Sequence, residues 1–181
     1  MIKVKVSCSE EKNQNILIRQ TPDSKGIWKN CKFFINENIK NPDWWFVLHG
    51  SGIKNKETVN CDPENIVYIS LEASERQNKV SKNFLEQFSQ IVISDKTIQH
   101  KNILYHNGTT WYVGINVQRK GNKHYFENIT DHNYNFFKNL KVSNKLDRIS
   151  LIISNKNNFP GHRKRLKFVK ALRSEEHTSE L

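Results

Sequence analysis

Five consecutive apolar residues, Trp44 to Leu48, constrain this chain most. Asn41-Pro42-Asp43 breaks the backbone before them and Gly50-Ser51-Gly52 follows soon after. The run is too short for a buried helix and shows no polar alternation. It therefore predicts a strand covered on both faces, as parallel sheets require. Similar short runs recur at Cys31–Ile35, Asn65–Leu71, Ile91–Ser94 and Asn102–Tyr105. Ile2–Val6 alternates Ile, Lys, Val, Lys, Val, the pattern of a half-buried strand. Between the later strands, Ser81 is placed to cap a short helix, KNFLEQF, with Phe84, Leu85 and Phe88 on one face. Strands alternating with helix-length segments predict an α/β sheet with parallel pairs.

From Val117 to Asp147 the chain is polar and poorly periodic, and only YNFFKNLKV has a helical pattern. RISLIIS then restarts the strand signal, predicting a buried strand at Ile149–Ile153, a loop, and a helix after Pro160-Gly161. The expected organisation is an α/β domain over 1–116, a connector over 117–147, and the first β-α unit of a second domain over 148–172.

Residues 173–181, RSEEHTSEL, differ in composition from the basic segment before them. The same nine residues arise when a common sequencing adapter is translated in frame. They are expected to be an artefact and are set aside from fold reasoning. On that expectation the natural protein continues past Leu172.

The formal net charge is +11. Lysine outnumbers arginine 22 to 7, whereas planar phosphate and base-edge recognition favours arginine. The excess therefore reads first as lysine-rich composition with a modest preference for anionic ligands. Three cysteines, Cys8, Cys31 and Cys61, lack CxxC pairing, and the histidines show no HxH or HExxH spacing. Neither a metal site nor a disulfide framework is expected, so a reducing cytoplasm is the expected location. No run reaches the roughly 18 apolar residues of a membrane span, and Met1–Glu11 has no apolar signal core.

Three stretches carry candidate chemistry. Around Pro160, His162, Arg163, Lys164 and Arg165 crowd a helix start where the dipole disfavours cations. An anion at the free N–H groups would account for them, and so would a solvated face in a lysine-rich chain. Glu72 follows directly on a buried strand, at the edge where α/β sheets open to a cleft. Partial desolvation there would make it a better general base, although a solvated strand-end carboxylate fits the position equally. Trp111 and Tyr112, in GTTWYVG, could form a stacking platform for a sugar or a base, or belong to a core.

Taken in order, DWWFVLHG, ENIVYISLEAS, FLEQFSQIVISDKTIQHKNILYHNGTTWYVG and SLIISNKNNFPGHRKRLKFVKAL resemble the family 10 glycosyltransferases, the α-1,3/4-fucosyltransferases. The resemblance covers about Asp43 to Leu172. It implies a GT-B architecture: a Rossmann-like N-terminal acceptor domain, then the start of a truncated C-terminal Rossmann-like donor domain. It also implies inverting transfer of fucose from GDP-fucose to a glycan hydroxyl, such as one on a lipopolysaccharide, without metal or cofactor. Glu72 would be the general base. Arg165 would contact the donor diphosphate, Ser154 and Asn155 would shape its loop, and Trp111 and Tyr112 would meet the acceptor. Ser74 and Tyr112 depart from the proline and histidine frequent in relatives. The family's later donor motifs are not in the chain, so this fragment is expected to be inactive alone. A nucleotide-sugar donor and a glycan acceptor are the expected partners, without nucleic acid, and peripheral contact of the full-length enzyme with the inner membrane is left open. The competing readings are a basic nucleic-acid-binding module and a GT-B transferase for another nucleotide sugar.

Overall fold

The computed structural model describes residues 1–8, 16–48, 56–70, 80–106, 114–121, 123–128, 131–141, 144, 151 and 153–178. They belong to two compact units, Met1–Leu140 and Lys141–Leu181.

The first unit is built on a seven-stranded sheet. Its strands are β1 (Ile2–Cys8), β2 (Ile27–Trp28), β3 (Cys31–Ile35), β4 (Trp44–Leu48), β5 (Ile66–Ile69), β6 (Gln90–Ile93) and β7 (Ile103–Tyr105). Their spatial order is β2-β3-β1-β4-β5-β6-β7. Every neighbouring pair is parallel except β2–β3, a short antiparallel edge. The unit is therefore α/β with a mostly parallel, Rossmann-like sheet, as the spaced apolar runs predict. From β1 the chain moves outward to β3, then returns past β1 to β4 and continues stepwise to β7. The strand order thus reverses between β1 and β4.

The register assigns the side chains to two faces. On one, Val4, Val6 and Ile35 form a buried cluster with Phe33, Phe46, Leu48, Leu17 and Ile18. On the other, Val47, Tyr68, Ile91 and Ile93 pack with Leu85 and Phe88. Tyr68 is 1% exposed and sits between Phe84 and Phe88, at ring-centroid distances of 5.7 and 5.3 Å. Removing an aromatic side chain of that size from water contributes roughly 2–3 kcal/mol. The helix above this face, α1 (Lys82–Leu85), starts where its capping residue dictates: Ser81 Oγ accepts the Phe84 N–H at 3.2 Å.

Two strands differ from their sequence expectation. The alternation in β1 predicts one solvated face, yet Val4, Lys5, Val6 and Ser7 are all buried. A strand flanked by parallel neighbours has both faces covered, and Lys5 is accommodated by partners rather than by water. Conversely, β4 is less buried than an all-apolar run predicts. Trp44 is exposed, and only Val47 of its five residues is fully buried.

The polar stretch read as a connector contains regular structure within the first unit. Strands β8 (Ile115–Lys120) and β9 (Lys123–Asn128) form an antiparallel hairpin. Its turn includes Gly121 at φ +60°, a left-handed conformation that glycine adopts without steric cost. Helix α2 (Tyr134–Asn139) follows, capped by Asn133 Oδ1, which accepts the Phe136 N–H. Arg19 Nη2 ties this region to the main sheet by donating to the carbonyls of His132 and Gly114 at 3.0 and 3.3 Å. The Tyr134 N–H donates to the Arg19 carbonyl, and Tyr134 meets Trp28 edge-on at 5.0 Å.

In the second unit, the expected strand at Ile149–Ile153 is not formed where it is described: Leu151 and Ile153 lie outside any strand, and Leu151 is exposed. Helix α3 spans Pro160–Thr178. It includes Pro160, which is favoured at a first helical position, and it runs past Leu172 into the adapter-like tail. Val169 is buried and Leu166 and Leu172 are half-buried, an inward stripe at helical spacing.

Candidate functional site

In a doubly wound sheet, the strands on either side of the order reversal send their chains apart, leaving a crevice beyond their carboxyl ends. Here that point lies between β1 and β4, and the groups beside it are polar. Lys5 Nζ is 2.9 Å from Glu57 Oε2 and donates to the Glu37 carbonyl at 2.9 Å. Ser7 Oγ donates to the same Glu57 oxygen at 3.0 Å and accepts the Trp45 indole N–H at 2.9 Å. The Cys8 N–H donates to Asn36 Oδ1 at 2.8 Å. The side chain of Lys5 is 4% exposed and that of Glu57 33%, so the charge on Lys5 is neutralised inside the protein while the carboxylate reaches solvent.

This network has a structural cause. Two crossovers return to the start of the sheet: residues 36–43 before β4 are irregular, and residues 56–65 before β5 are irregular up to a single 3-10 turn at Pro63–Asn65. No α-helix among the described residues of these two segments lays an apolar stripe on the sheet, and Lys5 binds both of them through polar contacts. Asn60 continues the seam, donating its backbone N–H to the Lys40 carbonyl and its side-chain amide to Asn41. Asn65 does the same with the Asp43 carbonyl. Further along the carboxyl edge, Ser70 after β5 and Asp95 after β6 are also buried. Asp95 Oδ1 accepts both the N–H and the hydroxyl of Thr97.

Of the residues chosen from sequence, Glu72, Trp111 and Tyr112 lie outside the described residues. Ser154, Asn155 and Arg165 are exposed, all in the second unit. Because α3 begins at Pro160, its first turn contains Pro160, Gly161 and His162, and Arg165 stands in the second turn, past the free N–H groups. This corrects the expectation that Arg165 shares the helix start. The cation cluster is also partly occupied: Arg163 Nη1 turns back to the carbonyls of Asn157 and Asn158 at 3.1 and 3.5 Å. His162 packs edge-on to Phe159 at 5.2 Å, and its Nδ1 is buried without a hydrogen-bond partner among the described residues.

Sequence reasoning missed Lys5, Ser7, Trp45 and Glu57. One signal pointed to them: in a sheet of at least five parallel strands, an interior strand carrying Lys and Ser on one face must supply them with partners. Among the described residues, no group of three His, Cys, Asp or Glu side chains could hold a metal ion, and no helix is long and apolar enough to cross a membrane. No family model, curated protein or solved structure matches the chain.

Proposed function

We propose that this chain is the acceptor-side part of a glycosyltransferase that uses a nucleotide sugar, read most specifically as an inverting fucosyltransferase of the family 10 type with GDP-fucose as donor. The observation that carries the reading is the carboxyl edge of the parallel sheet. There apolar strands end in buried polar residues, Ser7, Ser70 and Asp95, and Ser70 is the last described residue before Glu72. The ordered sequence resemblance adds the choice of donor.

In this mechanism Glu72 takes the proton from the acceptor hydroxyl as its oxygen bonds to the anomeric carbon of fucose. The bond from that carbon to the β-phosphate oxygen breaks, and its electron pair leaves with GDP. The guanidinium of Arg165 offsets the charge gathering on the departing diphosphate, with bidentate geometry that suits phosphate oxygens. The GT-B arrangement, the bacterial glycan acceptor and a cytoplasmic setting at the inner membrane belong to the same proposal. Inactivity of the 181-residue chain by itself belongs to the same proposal.

The decisive experiment uses the full-length enzyme, recovered by sequencing the source DNA beyond codon 172. Glu72→Gln should abolish fucose transfer while GDP binding, followed by calorimetry, persists. Equal loss of both would reduce Glu72 to a structural residue. Fucose transfer by the 181-residue chain itself would contradict the mechanism. A second reading, nucleic-acid binding, is favoured by one observation: Arg163, Lys164, Arg165, Lys167, Lys170 and Arg173 are all exposed along α3. It requires oligonucleotide affinity that falls steeply and log-linearly with salt.

A further inference from the structure

Glu57 is presented at the sheet's order reversal with one carboxylate oxygen occupied and the other open. Oε2 takes both the Lys5 ammonium and the Ser7 hydroxyl, while Oε1 has no partner among the described residues. Three features bear on what Oε1 can bind. The adjacent ammonium cancels the charge, so the group does not attract a cation as a lone carboxylate would. The orientation is fixed from below by the Trp45 indole through Ser7, so little side-chain entropy is lost when a ligand arrives. And the side chain is a third exposed, so its open oxygen is reachable. A charge-compensated, rigid acceptor with one oxygen open suits a neutral O–H donor.

We propose that Glu57 forms a hydroxyl-binding subsite for a neutral sugar, with Lys5 and Ser7 as the residues that position its carboxylate. This deepens the glycosyltransferase reading, on which the choice of a sugar rests, and it assigns the acceptor a contact separate from Glu72.

The test uses the 181-residue chain without donor, so that it stands or falls apart from fucose transfer. Methyl glycosides of galactose, glucose and N-acetylglucosamine are titrated to roughly 50 mM, enough to detect the millimolar affinity of a few hydrogen bonds. The indole N–H resonance of Trp45, assigned through Trp45→Phe, reports the site because it donates into the network. At least one sugar should move that resonance saturably, and Glu57→Gln should weaken its binding about tenfold, as loss of a charged hydrogen-bond acceptor does. A resonance that no sugar moves would overturn the proposal, as would an unchanged affinity in folded Glu57→Gln. If that variant does not fold, the Trp45 titration of the unsubstituted chain decides alone. Sugar binding in the absence of any fucose transfer by the full-length enzyme would retain the subsite and remove the fucosyltransferase reading. Transfer without the Trp45 response would do the reverse.

Discussion

Lys5 Nζ and Glu57 Oε2, 52 positions apart in sequence, meet at 2.9 Å on β1, an interior strand of the sheet. Their environments are unequal. The ammonium is almost fully enclosed, whereas the carboxylate keeps a third of its surface in solvent. Removing Glu57 therefore strands a buried charge, while removing Lys5 leaves a carboxylate that can rehydrate. Glu57→Gln should cost about 2–3 kcal/mol and Lys5→Met about 1–2 kcal/mol, with the double variant close to Lys5→Met. Urea unfolding of the three variants would reveal the order; a larger loss for Lys5→Met would refute it.

Gly114 should tolerate no side chain. It has φ +67°, and a Cβ there would overlap the His132 carbonyl, the group that accepts from Arg19 Nη2. Gly114→Ala is expected to destabilise the first unit by about 2–4 kcal/mol, through backbone strain and displacement of that carbonyl. Thermal unfolding followed by circular dichroism measures this, and an unshifted midpoint would show that the segment accommodates the methyl group.

Asp23 and Asn135 supply a pH-dependent link. Asn135 Nδ2 donates to Asp23 Oδ1 at 2.7 Å and Lys25 lies on the other oxygen at 3.3 Å. Both hold the Asp23 carboxyl below the ordinary 3.8, the Asn135 hydrogen bond foremost. A carboxylate with a lowered folded-state pKa stabilises the fold above its unfolded value, and that contribution disappears as pH falls through the folded value. Carbon-detected NMR titration of Asp23 should give a midpoint under 3.8 that rises in Asn135→Ala. A midpoint indifferent to the substitution would mean that Lys25 acts alone.

Cys61 should be a poor nucleophile. Burial raises its thiol pKa, and the charges of Asp62 and Asp43 push it in the same direction. Its Sγ also faces the Asp43 carbonyl at 3.9 Å. At pH 8 a smaller fraction is thiolate than in free cysteine, so iodoacetamide should alkylate Cys61 more slowly. Peptide mapping after timed labelling would show this, and a rate equal to that of glutathione would contradict it.

The strands were legible wherever apolar side chains run together, because burial on a parallel sheet leaves a direct composition signal. Trp44–Leu48 and Ile91–Ile93 are examples. The helix at Ser81 was equally legible, since a hydroxyl at the cap and Phe84, Leu85 and Phe88 on one face state the same element twice. The β8–β9 hairpin was not. Gln118, Lys120, Tyr125 and Glu127 are exposed, so its pairing rests on backbone hydrogen bonds, which side-chain periodicity does not report. The Lys5 network was hidden for another reason. A lysine in an alternating strand signals solvent, and only a carboxylate supplied 52 positions later makes its burial tolerable. The strand expected at Ile149–Ile153 failed where described because three apolar residues in a row also suit an irregular segment, and among the described residues of that unit no strand offers a ladder.

The strand order also has a consequence for synthesis. β1 leaves the ribosome first, yet it ends in the interior of the sheet, between β3 and β4. Each of β3, β4, β5, β6 and β7 then joins an edge already exposed, β3 on one side and the others in succession on the other. No parallel strand has to be inserted between two partners already joined, so the growing chain can assemble as it emerges. The exception is the ammonium of Lys5. It stays without its carboxylate until residue 57 has been added and the chain beyond it can fold back, so the sheet's interior is completed from its periphery.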